Sequence, residues 1–332
     1  MGRKDLKTIV LNFAPSWSAV TMGTGVLSLI LYDAPHQFLA ETYIAIAVYA
    51  FNIVLFLTFL GRSIARILCF PWVVKRIRIH TASLVYLGTY PVGLATIINA
   101  TVIMLAPVAG PWIISFISAL WWCDVVLSCL SAILLPLILF EYHELALKDL
   151  TAAWLLPIVP LVVASGSGGA VSTILSPMHA QWTLALSLML WSMGMELSLL
   201  IIGLYIQRHI IHNLPSREVI ISSFLPLGPI AQGSYAIVQI GRTAQTVLAE
   251  KDIAKRELLG DIFVTCCTVS GIVLWGFAIW WFLHTVLSID LPDFTGRMSF
   301  NMRFWGCTFP IGVLTTAIIN LSINSPRPSY KR

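Results

Sequence analysis

The 332-residue chain is 58% hydrophobic and only 11% charged, with a formal net charge of +5 and a mean hydropathy of +0.87. A soluble domain carries about 25% charged residues, so this chain has too few to cover a water-facing surface, and a soluble fold is excluded. Its apolar stretches are continuous rather than alternating, which excludes a membrane β-barrel and leaves an all-α membrane protein.

Nine transmembrane helices are predicted, over residues 9–32, 38–60, 82–106, 112–140, 152–174, 179–206, 219–241, 258–286 and 301–323, each near the roughly 20 residues that a bilayer requires. Ahead of the first, MGRKDLK carries no cleavable signal, so that segment is expected to stay as an anchor. The first segment holds Pro15 and a small-residue stripe of Ser18, Thr21, Gly25 and Ser28. After the second comes GRSIARILCFPWVVKRIRIH (61–80), readable as an interfacial helix on anionic lipid or as a solvated basic loop. The third contains Gly88, Thr89, Pro91, Gly93 and Thr96, and the fourth Asp124 and Pro136. In the fifth lie Pro157, Pro160 and the SGSGG run, with Ser165, Ser167 and Gly169; in the sixth, Glu196. The seventh places Gly228, Gln232, Tyr235, Gln239 and Arg242 at steps of three and four, beside Pro226 and Pro229. The ninth follows Arg303 and carries Gly306, Phe309, Pro310, Val313, Thr316 and Asn320.

The basic residues set an orientation. The N-terminus and the loops after segments 2, 4 and 6 hold eleven Lys and Arg, whereas the loops after segments 1, 3 and 5 hold none. The positive-inside rule then puts the N-terminus in the cytoplasm. This accounts for the basic excess, and without zinc-finger spacing or a basic–aromatic patch no nucleic acid is expected as a partner. The six cysteines lie in or beside apolar runs and read as small buried hydrophobes.

Odd and even segments differ in chemistry. Pro15, Pro91, Pro160, Pro229 and Pro310 recur at separations of 76, 69, 69 and 81 residues, against Pro136 alone in the even segments. This is a repeat of helical hairpins. A proline frees a carbonyl that lipid cannot satisfy, so the odd helices are expected inside and the even ones outside. The stripes lie on one face of each odd helix. Small residues also promote close helix packing, but recurrence in alternate helices favours a pore lining. An uncharged lining suits an anion, because hydroxyls, amides and helix ends replace part of its water shell and leave it free to depart. Arg242 and Arg303 fall near helix ends, where they attract anions to the pore mouths or else set topology by snorkelling. Asp124 and Glu196 fall in even segments and read as helix or subunit contacts, with proton coupling as the alternative.

Catalysis lacks a basis. SGSGG has Val163 where an intramembrane serine protease motif needs glycine, and EYHE (141–144) lacks the H-E-x-x-H spacing of a metal site. No enzyme activity, metal or cofactor is expected.

The strings FAPSWSAVTMGTGVLS (13–28), LGTYPVGLATIIN (87–99), LWWCDVVLSC (120–129), REVIISSFLPLGPIAQG (217–233) and FWGCTFPIG (304–312) resemble the fungal sulfite efflux pumps. These form a branch of the tellurite-resistance/dicarboxylate transporter family, which includes yeast malate permeases and plant slow anion channels. The resemblance covers essentially the whole chain. It implies ten helices as five hairpins, an inner ring of odd helices around one pore per subunit, a homotrimer, and an aromatic gate on the ninth helix at Phe309. Three departures stand out. The tenth helix is missing, His80-Thr81 replaces the family's usual His-Pro, and Arg303 stands where a small or apolar residue is common.

The expectation is therefore a single transmembrane transporter domain over 1–332, apparently lacking the tenth helix. It would export sulfite or bisulfite across a fungal-type plasma membrane and contact membrane lipid. The alternatives are a malate or other C4-dicarboxylate transporter, or a truncated inactive or regulatory subunit.

Overall fold

The computed structural model describes residues 6–34, 38–144, 146–248, 253–289 and 304–323, and all regular structure among them is helical. In chain order the α-helices are α1 (Leu6–Leu11), α2 (Ala19–Asp33), α3 (Leu39–Cys69), α4 (Trp72–Ile79), α5 (Thr81–Val85), α6 (Thr89–Ala100) and α7 (Trp112–Tyr142). Then follow α8 (Val159–Val171), α9 (Pro177–His212), α10 (Arg217–Ile220), α11 (Leu227–Leu248), α12 (Ile253–Ile289) and α13 (Trp305–Ile323). Six of the described helical runs are long and apolar enough to cross a membrane.

The odd segments are interrupted where their prolines fall. Pro15 opens a 3-10 turn (Pro15–Ser18) that leads into α2. Pro91 is the third residue of α6, behind the 3-10 turn Tyr86–Gly88; Pro160 is the second of α8; Pro229 is the third of α11. First-turn N–H groups have no intrahelical partner, so proline removes no bond there. Pro310 alone among the five lies inside a helix. The prolines thus mark joints between a turn and a helix more than kinks within one.

Carbonyls freed at these joints are met by the outer helices. Pro160 cannot donate and Leu161 N bonds Ile158 O, so the Pro157 carbonyl accepts instead from the Ser131 hydroxyl of α7 (2.9 Å). Pro226 likewise cannot donate back to Ser223, whose carbonyl accepts from the Trp281 indole (2.9 Å) and the Thr285 hydroxyl (3.2 Å) of α12. The indoles of Trp121 and Trp191 donate to Ala164 and Gly233 (3.0 and 2.9 Å).

Burial separates the two sets. Over an 18-residue apolar stretch of each span, 78% of residues are buried for Thr81–Leu105 and 44% for α13, against 28%, 33%, 33% and 17% for α3, α7, α9 and α12. Every residue of α8 is buried. In contact order α2, α6, α8, α11 and α13 close a five-membered ring, with α13 returning to α2; α3 backs α2, α7 and α9 back α8, and α12 backs α11. The outer helices expose Phe51, Leu57, Leu130, Phe140, Leu200 and Val273, an apolar surface that would be an aggregation hazard in water and suits lipid.

α3, α9 and α11 run furthest past their predicted ends. α3 continues from the predicted end at 60 to Cys69, because nothing in GRSIARILC breaks a helix once the apolar run ends. It stops before Phe70-Pro71, where the residue preceding proline is kept out of the helical region. The rest of the basic stretch forms α4.

Candidate pore site

All five ring helices contribute to one central cavity. Val26, Leu29 and Asp33 come from α2; Thr96 and Asn99 from α6, with Ile103 from the π turn that follows; and Val163 from α8. Gln232 and Tyr235 come from α11, and Phe309, Val313 and Thr316 from α13. Steps of three and four place each set on one helix face. The room left is about 30 Å³, the share of a single water molecule in the liquid. The ring helices therefore leave little free room at this level.

The narrowing is apolar. The Phe309 ring is 3% exposed and shares the cavity wall with Val26, Leu29, Ile103, Val163 and Val313. Across from it Gly228 supplies no side chain: a Cβ there would lie 3.9 Å from Phe309 Cε1 and 3.7 Å from Pro310 Cγ. The polar part of the lining is uncharged along most of its length. Thr96 and Thr316 donate to carbonyls of their own helices, Gly93 (2.8 Å) and Val313 (3.0 Å), which leaves their oxygen lone pairs available. Asn99 Oδ1 is buried with no protein partner, and Gln232 is 4% exposed.

Charge appears at one end. Asp33 lines the cavity there, within electrostatic reach of Arg242 and Tyr235. The Arg242 guanidinium donates to the Asn320 carbonyl of α13. This end holds the C-termini of α2 and α13, the side opposite the predicted cytoplasmic face.

Of the residues singled out from the sequence, Phe309, Gln232, Tyr235, Val313 and Thr316 are brought together on the cavity wall, and Arg242 lies at its charged end. Arg303 lies outside the described residues. The remaining ones sit at helix–helix contacts. Ser18 bonds Thr89 between α2 and the start of α6, and Thr21 lies against Gly93. Gly25 faces Thr96 and Asn52, and Gly88 faces the Leu156 carbonyl. Ser165 and Ser167 bond back to Val162 and Val163. Gly169 packs on Gln239 and Ile240, Gly228 on Phe309 and Pro310, and Gly306 on Leu225.

Sequence reasoning missed Val26, Leu29, Asp33, Asn99, Ile103 and Val163, and gave Thr96 only as a member of a stripe. In α2 the small-residue stripe faces α6, and the cavity face is one residue on, rotated by about 100°. In α6 the signal was present: continuing Thr89–Gly93–Thr96 by steps of three and four reaches Asn99 and Ile103.

The family model described as voltage-dependent anion channel (SLAC1) matches residues 12–329. The sulfite efflux pump SSU1 of Arthroderma benhamiae is 38% identical over 328 residues, 98% of this chain and 86% of that protein. The sulfite efflux pump of Candida albicans is 28% identical over 330 residues (93% and 66%). The malic acid transport protein of Schizosaccharomyces pombe is 26% identical over 315 residues (91% and 71%). A five-helix ring around one cavity charged only at one end, and a family match over nearly the whole chain, lead to one conclusion: this multi-pass membrane protein belongs to the voltage-dependent anion channel family.

Proposed function

We propose that the chain exports sulfite through the centre of the ring, with the Phe309 side chain as the gate. One observation carries this reading: all five ring helices converge on a single cavity, uncharged except for Asp33 at one end, with an aromatic ring in its wall. A lining of threonine, asparagine and glutamine offers an anion dipoles without a fixed cation to trap it, and an apolar constriction blocks flow by expelling water. Swinging the Phe309 ring aside would join the cavity to both mouths, and the bare backbone at Gly228 gives it room. Arg242, with Asp33 and Tyr235, forms the outer mouth in this reading; Arg303 is assigned to a mouth on sequence grounds alone. The small residues Ser18, Thr21, Gly25, Gly88, Thr89, Gly93, Ser165, Ser167, Gly169 and Gly306 set how closely the pore helices approach one another. Sulfite is preferred over malate because relatives named as sulfite efflux pumps are the more similar and, among the described residues, no cation pair lines the cavity for two carboxylates. The chain acts by conducting its substrate, as a homotrimer in the plasma membrane with its N-terminus in the cytoplasm.

The test is sulfite sensitivity of a yeast strain without its own exporter, with this chain expressed and delivered to the surface. Rescue that Phe309→Ala alters is the expected result. Malate flux without sulfite flux would reverse the substrate assignment, and no rescue despite surface delivery would sink independent sulfite export.

A further inference from the structure

A basic hollow lies away from the ring, on the predicted cytoplasmic side. α4 docks by Val73 and Ile77, one turn apart, which are buried in the same core cluster as Leu84, Val85 and Leu139. That leaves Lys75, Arg76 and Arg78 exposed on its other faces. Between α4 and the end of α7 is a hollow of about 510 Å³ lined by Pro71, Val74, Lys75, Arg78, Ile79 and Tyr142. The lining holds two cations and a phenol, and no carboxylate.

A hydrogen-bonded cross-link joins the two elements that border the hollow. His143, just past α7, engages both ring nitrogens. Nε2 lies 2.9 Å from the Arg78 carbonyl, which can only accept, so Nε2 donates and Nδ1 accepts from the Thr81 hydroxyl (3.1 Å). The end of α4 is thereby tied to the end of α7. A proline at position 81 would supply no such hydroxyl. Around the rim, Trp72, Ile79 and Tyr142 are each more than half exposed (53%, 57% and 56%).

Two exposed cations in a hollow flanked by exposed aromatic and aliphatic side chains match an amphiphile whose head is anionic. We propose that this hollow binds the phosphate headgroup of an anionic phospholipid. Lys75 and Arg78 engage the phosphate, the Tyr142 hydroxyl donates to it, and Trp72 and Ile79 lie along the acyl chains. Arg78 suits a phosphate because its planar fork matches two oxygens at once. The cytoplasmic leaflet is where anionic lipid is concentrated. A free phosphate ion has no use for the apolar rim, so the site is assigned to lipid. This inference rests on the membrane orientation and is independent of which anion the pore carries.

The test measures lipid retained by the purified full chain, by native mass spectrometry after exchange into mixed phosphatidylserine and phosphatidylcholine. The wild type is expected to retain phosphatidylserine selectively, and inorganic phosphate in millimolar excess not to displace it. Lys75→Gln/Arg78→Gln is expected to lower retention about tenfold, as for loss of two charge-assisted contacts. Arg62→Gln/Arg76→Gln removes the same charge from exposed positions outside the lining and should change retention less than about twofold. Ile79→Glu, at an exposed rim position, keeps the site testable if the double variant folds poorly, and should also evict the lipid. Equal loss in both double variants would reduce the effect to diffuse basic attraction and overturn the site. So would equal retention of phosphatidylcholine, or displacement by inorganic phosphate.

Discussion

At the scale of single residues, the cavity makes two kinds of prediction. Phe309 closes an apolar constriction, so Phe309→Ala should raise anion flux several-fold in liposome assays. The ring is buried in the main core cluster, so the substitution should also cost about 3–5 kcal/mol of stability, the usual range for phenylalanine truncation. The charged end behaves differently. Arg242 and Asp33 sit together there with opposite signs, so neutralising each should move flux in opposite directions. Arg242→Gln should lower anion flux and Asp33→Asn should raise it, each by roughly two- to fivefold at low ionic strength, through the local concentration of anions. Both effects should fade in 0.5 M salt, where charges are screened beyond about 4 Å. If both variants shift flux the same way, their effect is on folding and the mouth assignment fails.

At the scale of elements, the glycines separate packing from gating. A Cβ on Gly88 would stand 2.2 Å from the Leu156 carbonyl oxygen, and this contact is with backbone that cannot swing away. Gly88→Ala should therefore destabilise by about 1–3 kcal/mol, the usual cost of overpacking, seen as a lower melting temperature in detergent. Gly228→Ala places its methyl at ordinary contact distance from Phe309 and Pro310. It should leave the melting temperature unchanged and slow opening, because the space into which the ring would swing is reduced. Loss of stability without loss of flux in Gly228→Ala would detach this glycine from the gate.

The same contrast explains what could be read in advance. Alternation of buried and lipid-facing helices was legible because prolines need partners that lipid lacks, and the structure supplies those partners from Ser131, Trp281 and Thr285. Helix ends were less legible: hydropathy falls off after residue 60, but the backbone has no reason to stop before Phe70-Pro71. The facing of each stripe was the hardest to read. A row of small residues permits close approach to whatever lies opposite, and only the neighbours' positions tell a helix contact from a cavity. Thus Ser18, Thr21 and Gly25 meet α6, whereas Val26 and Leu29, apolar and unremarkable in sequence, face the cavity.

At the scale of the whole molecule, two carboxylates in outer helices find different environments. Asp124 on α7 is fully buried inside the subunit, with neither oxygen bonded to a protein group. Glu196 is exposed midway along α9, beside exposed Met193, Leu197 and Leu200. A carboxylate held against lipid near the bilayer centre costs about 3 kcal/mol on insertion scales, and its neighbours on that face offer it nothing. The proposed homotrimer would remove the difficulty if this face formed the subunit contact and met protein donors there. Glu196→Leu should then lower the trimer fraction measured by native mass spectrometry or size-exclusion with light scattering, even though the substitution makes the single subunit more lipophilic. If Glu196 faces lipid instead, the same substitution relieves a cost without touching any contact. Stability would rise while the oligomeric state stayed the same, and the interface would have to lie on another outer helix.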